Sequence, residues 1–173
     1  SPYLIRTAEQ LRAFAGSLNN KINYADKYVA LDADIDVSDA AWTPIGGSDW
    51  AFAGTFDGRG HTISGLTVGS ASAPLALDSG NLFIGLFGAL EKTAVVRDVA
   101  LKNVAFYTSY EATAYVGGIA GYLNGSGESN VFTGAVVDGC SVSGVISHTS
   151  AKGNQFVGGI VGMQYKGAVI NSA

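Results

Sequence analysis

The chain has 173 residues, of which 47% are apolar and 14% charged, with a net charge of -4. Low charge combined with so many apolar residues excludes disorder, and the lack of any Lys/Arg cluster removes the attractive field that nucleic-acid binding needs. Only three prolines occur, which excludes a proline-rich linker or a collagen; the single cysteine, Cys140, excludes an internal disulfide.

The opening Ser1-Pro2-Tyr3 lacks a methionine and shows no signal peptide, so it reads as a processed or engineered end. Thr7-Ala8-Glu9-Gln10 forms a capping box. Ala8, Leu11, Phe14, Ala15 and Leu18 follow at helical spacing, so a helix is expected over about 8–18 with Leu11, Phe14 and Leu18 inward. Residues 1–24 are read as an N-terminal cap and 25–173 as a repeat region of the same domain. Tyr28-Val29-Ala30-Leu31 and the alternating run Asp32 to Val37 read as strands, followed by a turn at Trp42-Thr43-Pro44-Ile45-Gly46. Phe52 to Phe56 is a further strand. Asp57-Gly58-Arg59-Gly60 is a glycine turn, and His61 to Val68 alternates again.

From there a repeat takes over. Gly85-Leu86-Phe87-Gly88 returns as Gly118-Ile119-Ala120-Gly121 and as Gly159-Ile160-Val161-Gly162, at offsets of 33 and 41 residues. Each copy precedes a second β-rich stretch, beginning at Ala94, Ala135 and Ala168. Units of short strands and glycines at this period indicate stacking, because no single unit can bury its own apolar face. The sequence therefore predicts an all-β, right-handed parallel β-helix with a short N-terminal capping helix. Its interior ladders would be Ile63/Val96/Val137/Ile170, Leu66/Val99/Cys140/Ala173 and Leu86/Ile119/Ile160. Gly85, Gly118 and Gly159 would stack at a corner with no room for a Cβ. Cys140 falls at an apolar repeat position and reads as a buried small hydrophobe. Linkers over 69–80, 124–129 and 148–154 are rich in small polar residues. No helical pattern follows residue 20, which argues against leucine-rich repeats, and a propeller needs more blades than the chain supplies. Ala173 falls mid-repeat, so a fragment of a larger protein is expected, with its last strand edges covered by a neighbouring domain or chain.

The segments Trp42-Thr43-Pro44-Ile45-Gly46, Phe52 to Leu66 and Gly85-Leu86-Phe87-Gly88, with the lead-in Ile5 to Leu11, closely resemble the GLUG-motif repeats. These repeats occur in bacterial surface proteins, in large adhesins and in non-catalytic regions of immunoglobulin A metallopeptidases. The resemblance covers nearly the whole chain. It implies a parallel β-helix serving as stalk or binding surface on a secreted or cell-surface protein. It carries no catalytic residues, and the His-Glu-x-x-His of the associated peptidases is absent.

Asp32, Asp34, Asp36 and Asp39 are the densest acidic group, but Val37 and Thr43 stand where a calcium loop needs glycine and glutamate. An acidic outer strand face is the better reading. Asp57, Arg59 and His61 could form an acid, base and charge partner, as in carbohydrate-active β-helix enzymes; the simpler reading is a capped turn. His148 has no ligand-type neighbour. The candidate binding residues are the aromatics Phe106, Tyr107, Tyr110, Tyr115 and Tyr122, with Phe156 and Tyr165 at equivalent places later. They form a sugar- or protein-binding face, a ladder that stabilises stacking, or a seam to a neighbouring domain. The leading expectation is thus a non-enzymatic module without cofactor or metal, whose partners are a host or matrix protein or glycan and neighbouring domains of the parent protein, with no nucleic acid and no membrane insertion. The alternatives are a polysaccharide lyase or hydrolase and an accessory domain of a surface protease.

Overall fold

The computed structural model describes residues 2–47, 49–126 and 133–173. The first part of the chain supplies β1 (Tyr3–Ile5), the only helix among the described residues, α1 (Ala8–Asn19), then β2 (Tyr28–Leu31), β3 (Ile35–Asp36), β4 (Thr55–Asp57), β5 (Thr62–Ser64) and β6 (Thr67–Val68). The middle supplies β7 (Leu82–Ile84), β8 (Phe87–Leu90), β9 (Val95–Arg97), β10 (Ala100–Ser109), β11 (Ala114–Gly117) and β12 (Ala120–Leu123). A short pair follows, β13 (Gly125–Ser126) and β14 (Thr133–Gly134), and then β15 (Val136–Asp138), β16 (Ser141–Thr149), β17 (Gln155–Gly158), β18 (Val161–Gln164) and β19 (Ala168–Ile170).

Helix α1 begins as its sequence dictates. The Thr7 hydroxyl accepts from the Gln10 amide at 3.2 Å, and the Gln10 side chain takes the Arg6 amide at 2.7 Å. Leu11, Phe14, Ala15 and Leu18 are buried, as their spacing requires.

The strands fall into four parallel sheets, ordered β1-β2-β4-β9-β15-β19, β16-β10-β5-β3 (with β6 also on β10), β17-β11-β7 and β18-β12-β8. The pair β13-β14 is antiparallel. This corrects the expected right-handed parallel β-helix: the four sheets are separate and unequal, and they do not close into a solenoid. The arrangement is a mostly-β layered fold with one helix, closer to a sandwich or α-β fold. A solenoid requires equivalent units, and these are not equivalent. The first repeats reach the fourth sheet only through isolated bridges at Ile45 and Phe52. The long strands β10 and β16 pair across a register shift between Leu101 and Val104.

The ladders change accordingly. Val96 pairs with Phe56 and Val137, and Val137 pairs with Val169. Ile63 lies in another sheet, between Ile35 and Leu101. Ile170 is one residue out of step, and a one-residue slip turns a strand side chain to the other face; it is 45% exposed while Val169 packs on the core. Leu66 is buried, but its carbonyl takes the Ala105 amide, away from Val99 and Cys140. The Leu86/Ile119/Ile160 set keeps its expected step, since Phe87, Ala120 and Val161 are in register. An added Cβ would lie 2.6 Å from the Phe87 carbonyl at Gly85 and 2.5 Å from the Gly159 carbonyl at Gly118, whereas Gly159 faces open space.

One core runs through the molecule. Phe52, Phe56 and Phe87 are fully buried, and Phe14 brings the helix onto them, with ring centroids 5.8 Å from Phe52 and 6.2 Å from Phe56. Cys140 is buried too, and burial pushes its thiol up to about 11. The thiolate is the reactive form, so Cys140 should resist a disulfide-exchange reagent at neutral pH and react fully only once the chain is unfolded. Rapid labelling of the native protein would contradict this placement.

Candidate functional site

The structure separates the five aromatics singled out by sequence. After the register shift in β10, residues alternate between faces as a strand must. Phe106 is 0% exposed and Tyr110 8%, so both belong to the core; the Tyr110 hydroxyl donates to the Gly80 carbonyl at 2.7 Å. Their reading as an exposed binding strip is therefore corrected. Tyr107 lies on the opposite face, half-buried and paired with Ser147, and no ring contact joins it to the other four among the described residues.

Tyr115 and Tyr122 do come together, with centroids 5.3 Å apart at 62°. The register Phe83, Tyr115, Phe156 across β7, β11 and β17 stacks three rings. Tyr115 lies 4.8 Å from Phe83 at 19° and 5.2 Å from Phe156 at 5°. Tyr122 stands edge-on to Phe83 at 6.5 Å and 79°. Sequence reasoning missed Phe83. Its offset to Tyr115 is 32 residues, one short of the 33 that separates Phe87 from Ala120, so the glycine period does not point to it.

Phe83, Tyr115 and Tyr122 wall a cavity of about 120 Å³ over Ala89 and Leu90, with Glu91 and Asn124 beside it. The space has a local cause: Ala89 pairs directly with Tyr122, and its small side chain leaves room beside the larger ring. The Asn124 side-chain amide donates to both Glu91 carboxylate oxygens, at 3.3 and 3.2 Å, and so orients them. Burial raises the Tyr122 pKa, and Tyr115, Tyr165 and Glu91 raise it further; the phenol stays neutral and able to donate.

The polar residues of the first repeats are spoken for. Asp57 is 6% exposed and accepts from the Tyr28 hydroxyl, from the Arg59 amide at 2.8 Å and from Arg97 at 2.8 and 3.1 Å. Burial pushes its pKa up, but these hydrogen bonds outweigh burial and hold it below the usual value. The Arg59 guanidinium turns instead to Asp32 at 3.3 Å, and His61 to Asp34 at 3.1 Å. The three residues therefore face different partners and do not converge on one point. Asp36 bonds the Ser38 amide, and Asp39 bonds Arg12. Among the described residues no group of three or more His, Cys, Asp or Glu side chains is arranged to hold a metal, and no helix is long and apolar enough to cross a membrane. Of the small-residue linkers, 124–129 lies partly outside the described residues.

The molecule is thus a mostly-β repeat protein with an aromatic-walled cavity on its outer face. No family model matches the chain. It is 32% identical over 161 residues to halomucin of Haloquadratum walsbyi; the match takes in 86% of this chain and 2% of that protein's length. Its fold is similar to a crystal structure of a protein from Bacteroides ovatus provisionally assigned as an immunoglobulin A1 protease. The TM-score is 0.55 at 21% identity, over 99% of this chain and 65% of that one.

Proposed function

We propose that this chain is a non-enzymatic repeat module, of the GLUG-motif kind, that serves a secreted or surface protein as an adhesive or binding surface. The observation that carries the reading is the partly exposed aromatic face of Phe83, Tyr115 and Tyr122, which opens onto a cavity, with Phe156 stacked on Tyr115. Aromatic rings offer large, rigid contact area at low entropic cost and are enriched where proteins bind partners. The similarity to halomucin and the fold shared with the Bacteroides ovatus protein support a secreted or surface setting. That the chain matches only 2% of halomucin supports a module set among further domains of a much longer protein. On this reading the partner is a host or matrix protein or a glycan. The separate engagement of Asp57, Arg59 and His61 favours binding over catalysis.

The test is a binding screen of the purified chain against immobilised glycans and matrix proteins, beside a Tyr115→Ala/Tyr122→Ala double variant whose fold is checked by circular dichroism. The chain should capture a ligand that the folded variant holds about tenfold or more weakly, the loss expected for a central aromatic anchor. Silence across the screen from the folded wild type would overturn the binding-surface reading. Cleavage of a captured glycan or peptide would overturn its non-enzymatic part.

A further inference from the structure

We infer that the groove along β7 receives one extended peptide strand from a partner protein, added to the free edge of the three-stranded sheet. The inference goes beyond the binding-surface reading above and does not depend on it.

β7 ends its sheet, in the order β17-β11-β7. The reason lies one repeat earlier in the chain. Ile45 keeps step with Phe87: its amide donates to the Leu86 carbonyl at 2.9 Å, and its carbonyl accepts from the Gly88 amide at 3.0 Å. By the same offset, residues 40–42 would lie beside β7. Trp42 instead gives its amide to the Thr67 carbonyl at 2.7 Å, on β6 in the second sheet. That segment is drawn away, and the place beside β7 is left to the groove.

The backbone of β7 shows where another strand would bond. The Leu82 amide donates to the Thr113 carbonyl at 3.0 Å, so Leu82 and, two residues on, Ile84 turn their backbone groups to β11. The amide and carbonyl of Phe83 point the other way, and no hydrogen bond reaches them among the described residues. Further along, the edge is closed. The Trp42 indole donates to the Gly85 carbonyl at 3.1 Å, and Ile45 takes the Leu86 carbonyl. The opening at Phe83 is one donor and one acceptor on a single residue, the pair that an extended backbone satisfies with two hydrogen bonds. A helix has its own amides bonded internally and cannot supply them.

The groove suits such a strand. It measures about 510 Å³ and runs along Leu82, Phe83 and Ile84, with Pro44, Trp50, Leu75 and Leu77 among its walls. Its charged lining among the described residues is one lysine and one aspartate, Lys21 and Asp49, which matches an uncharged segment. The existing ladders say which side chains fit. Phe83, Tyr115 and Phe156 are in register, and so are Ile84, Val116 and Val157. A strand that continues them carries an aromatic residue beside Phe83 and a β-branched residue after it.

The probe is a synthetic peptide copying residues Ala112 to Gly118, the segment that already pairs with β7 on its other edge. Binding to the whole chain is read by fluorescence polarisation, and hydrogen exchange of the Phe83 amide by NMR. The peptide should bind and slow exchange at Phe83. A copy N-methylated at its tyrosine and valine keeps the side chains but loses the amide donors that face β7, and should bind about tenfold or more weakly. A folded Leu77→Lys protein, with a charge set in the groove wall, should bind the peptide more weakly too. Equal affinity for the methylated copy would reduce the groove to an apolar recess and overturn the inference. So would an unchanged Phe83 exchange rate, full affinity in the Leu77→Lys protein, or no binding to the folded wild type. A chain that self-associates through a protected Phe83 amide would put a second copy in the slot and overturn the assignment to a partner's peptide.

Discussion

Truncation of Phe87 to alanine should destabilise the protein by about 3–5 kcal/mol, at the upper end for a single core substitution. The ring is fully buried, 5.0 Å from Phe52 and 5.4 Å from Phe56 between centroids. Phe52 and Phe56 in turn meet Phe14, so one aromatic cluster fastens α1, the six-stranded sheet and β8 together. Alanine would leave a void at that junction, and the parallel strands on either side are fixed by their own hydrogen bonds and cannot collapse to fill it. Against a total stability of about 5–15 kcal/mol, the loss would shift the urea midpoint strongly and populate unfolded chain. Phe87→Leu should cost less, because it leaves a smaller void. An unchanged midpoint for the alanine variant would show that this cluster does not join the layers.

The second large effect is expected at Asp57. Arg97 lies across β4 and β9 from it, with its guanidinium 5.9 Å from the Tyr28 ring centroid, so the three side chains form one network on the outside of the first sheet. Asp57→Ala removes an acceptor of hydrogen bonds from charged and neutral donors and leaves Tyr28 and Arg97 to find water. A cost of about 2–4 kcal/mol at neutral pH is expected, tempered by the partial exposure of Arg97. The effect carries a pH signature. Because the folded pKa is lowered, the contribution is complete above the unfolded value of about 3.9 and fades as pH falls through the folded value. Denaturant titrations of wild type and variant should therefore differ most near neutrality and converge in acid. A difference that stays constant down to strong acid would mean that the carboxylate's charge is not what the network uses.

Much of this was legible in the chain. The capping box and the spacing of Leu11, Phe14 and Leu18 located α1, and the glycine repeats placed Leu86, Ile119 and Ile160 in step. What the repeat could not supply was the partition of strands into sheets, because unit length says nothing about which strand edge finds which partner. Ile63 paired with Leu101 rather than Val96 for that reason. The candidate site suffered from a related blindness. Phe106 and Tyr107 are adjacent in sequence and so lie on opposite faces of one strand, while Phe83 and Tyr115 touch across 32 residues. Proximity along the chain suggested the wrong neighbours; the period of two and the strand register decide the right ones.

The parallel pairing also bears on how quickly the chain can find its native state. Paired residues of neighbouring parallel strands lie from 26 positions apart, as with Tyr3 and Val29, to 41, as with Val95 and Val136. Each pairing must close a long loop before any ladder bond repays the lost entropy. Chains dominated by such distant contacts fold in about milliseconds to seconds rather than microseconds. Synthesis of one repeat at a time would relieve this delay, because each completed strand presents the edge on which its successor is laid down.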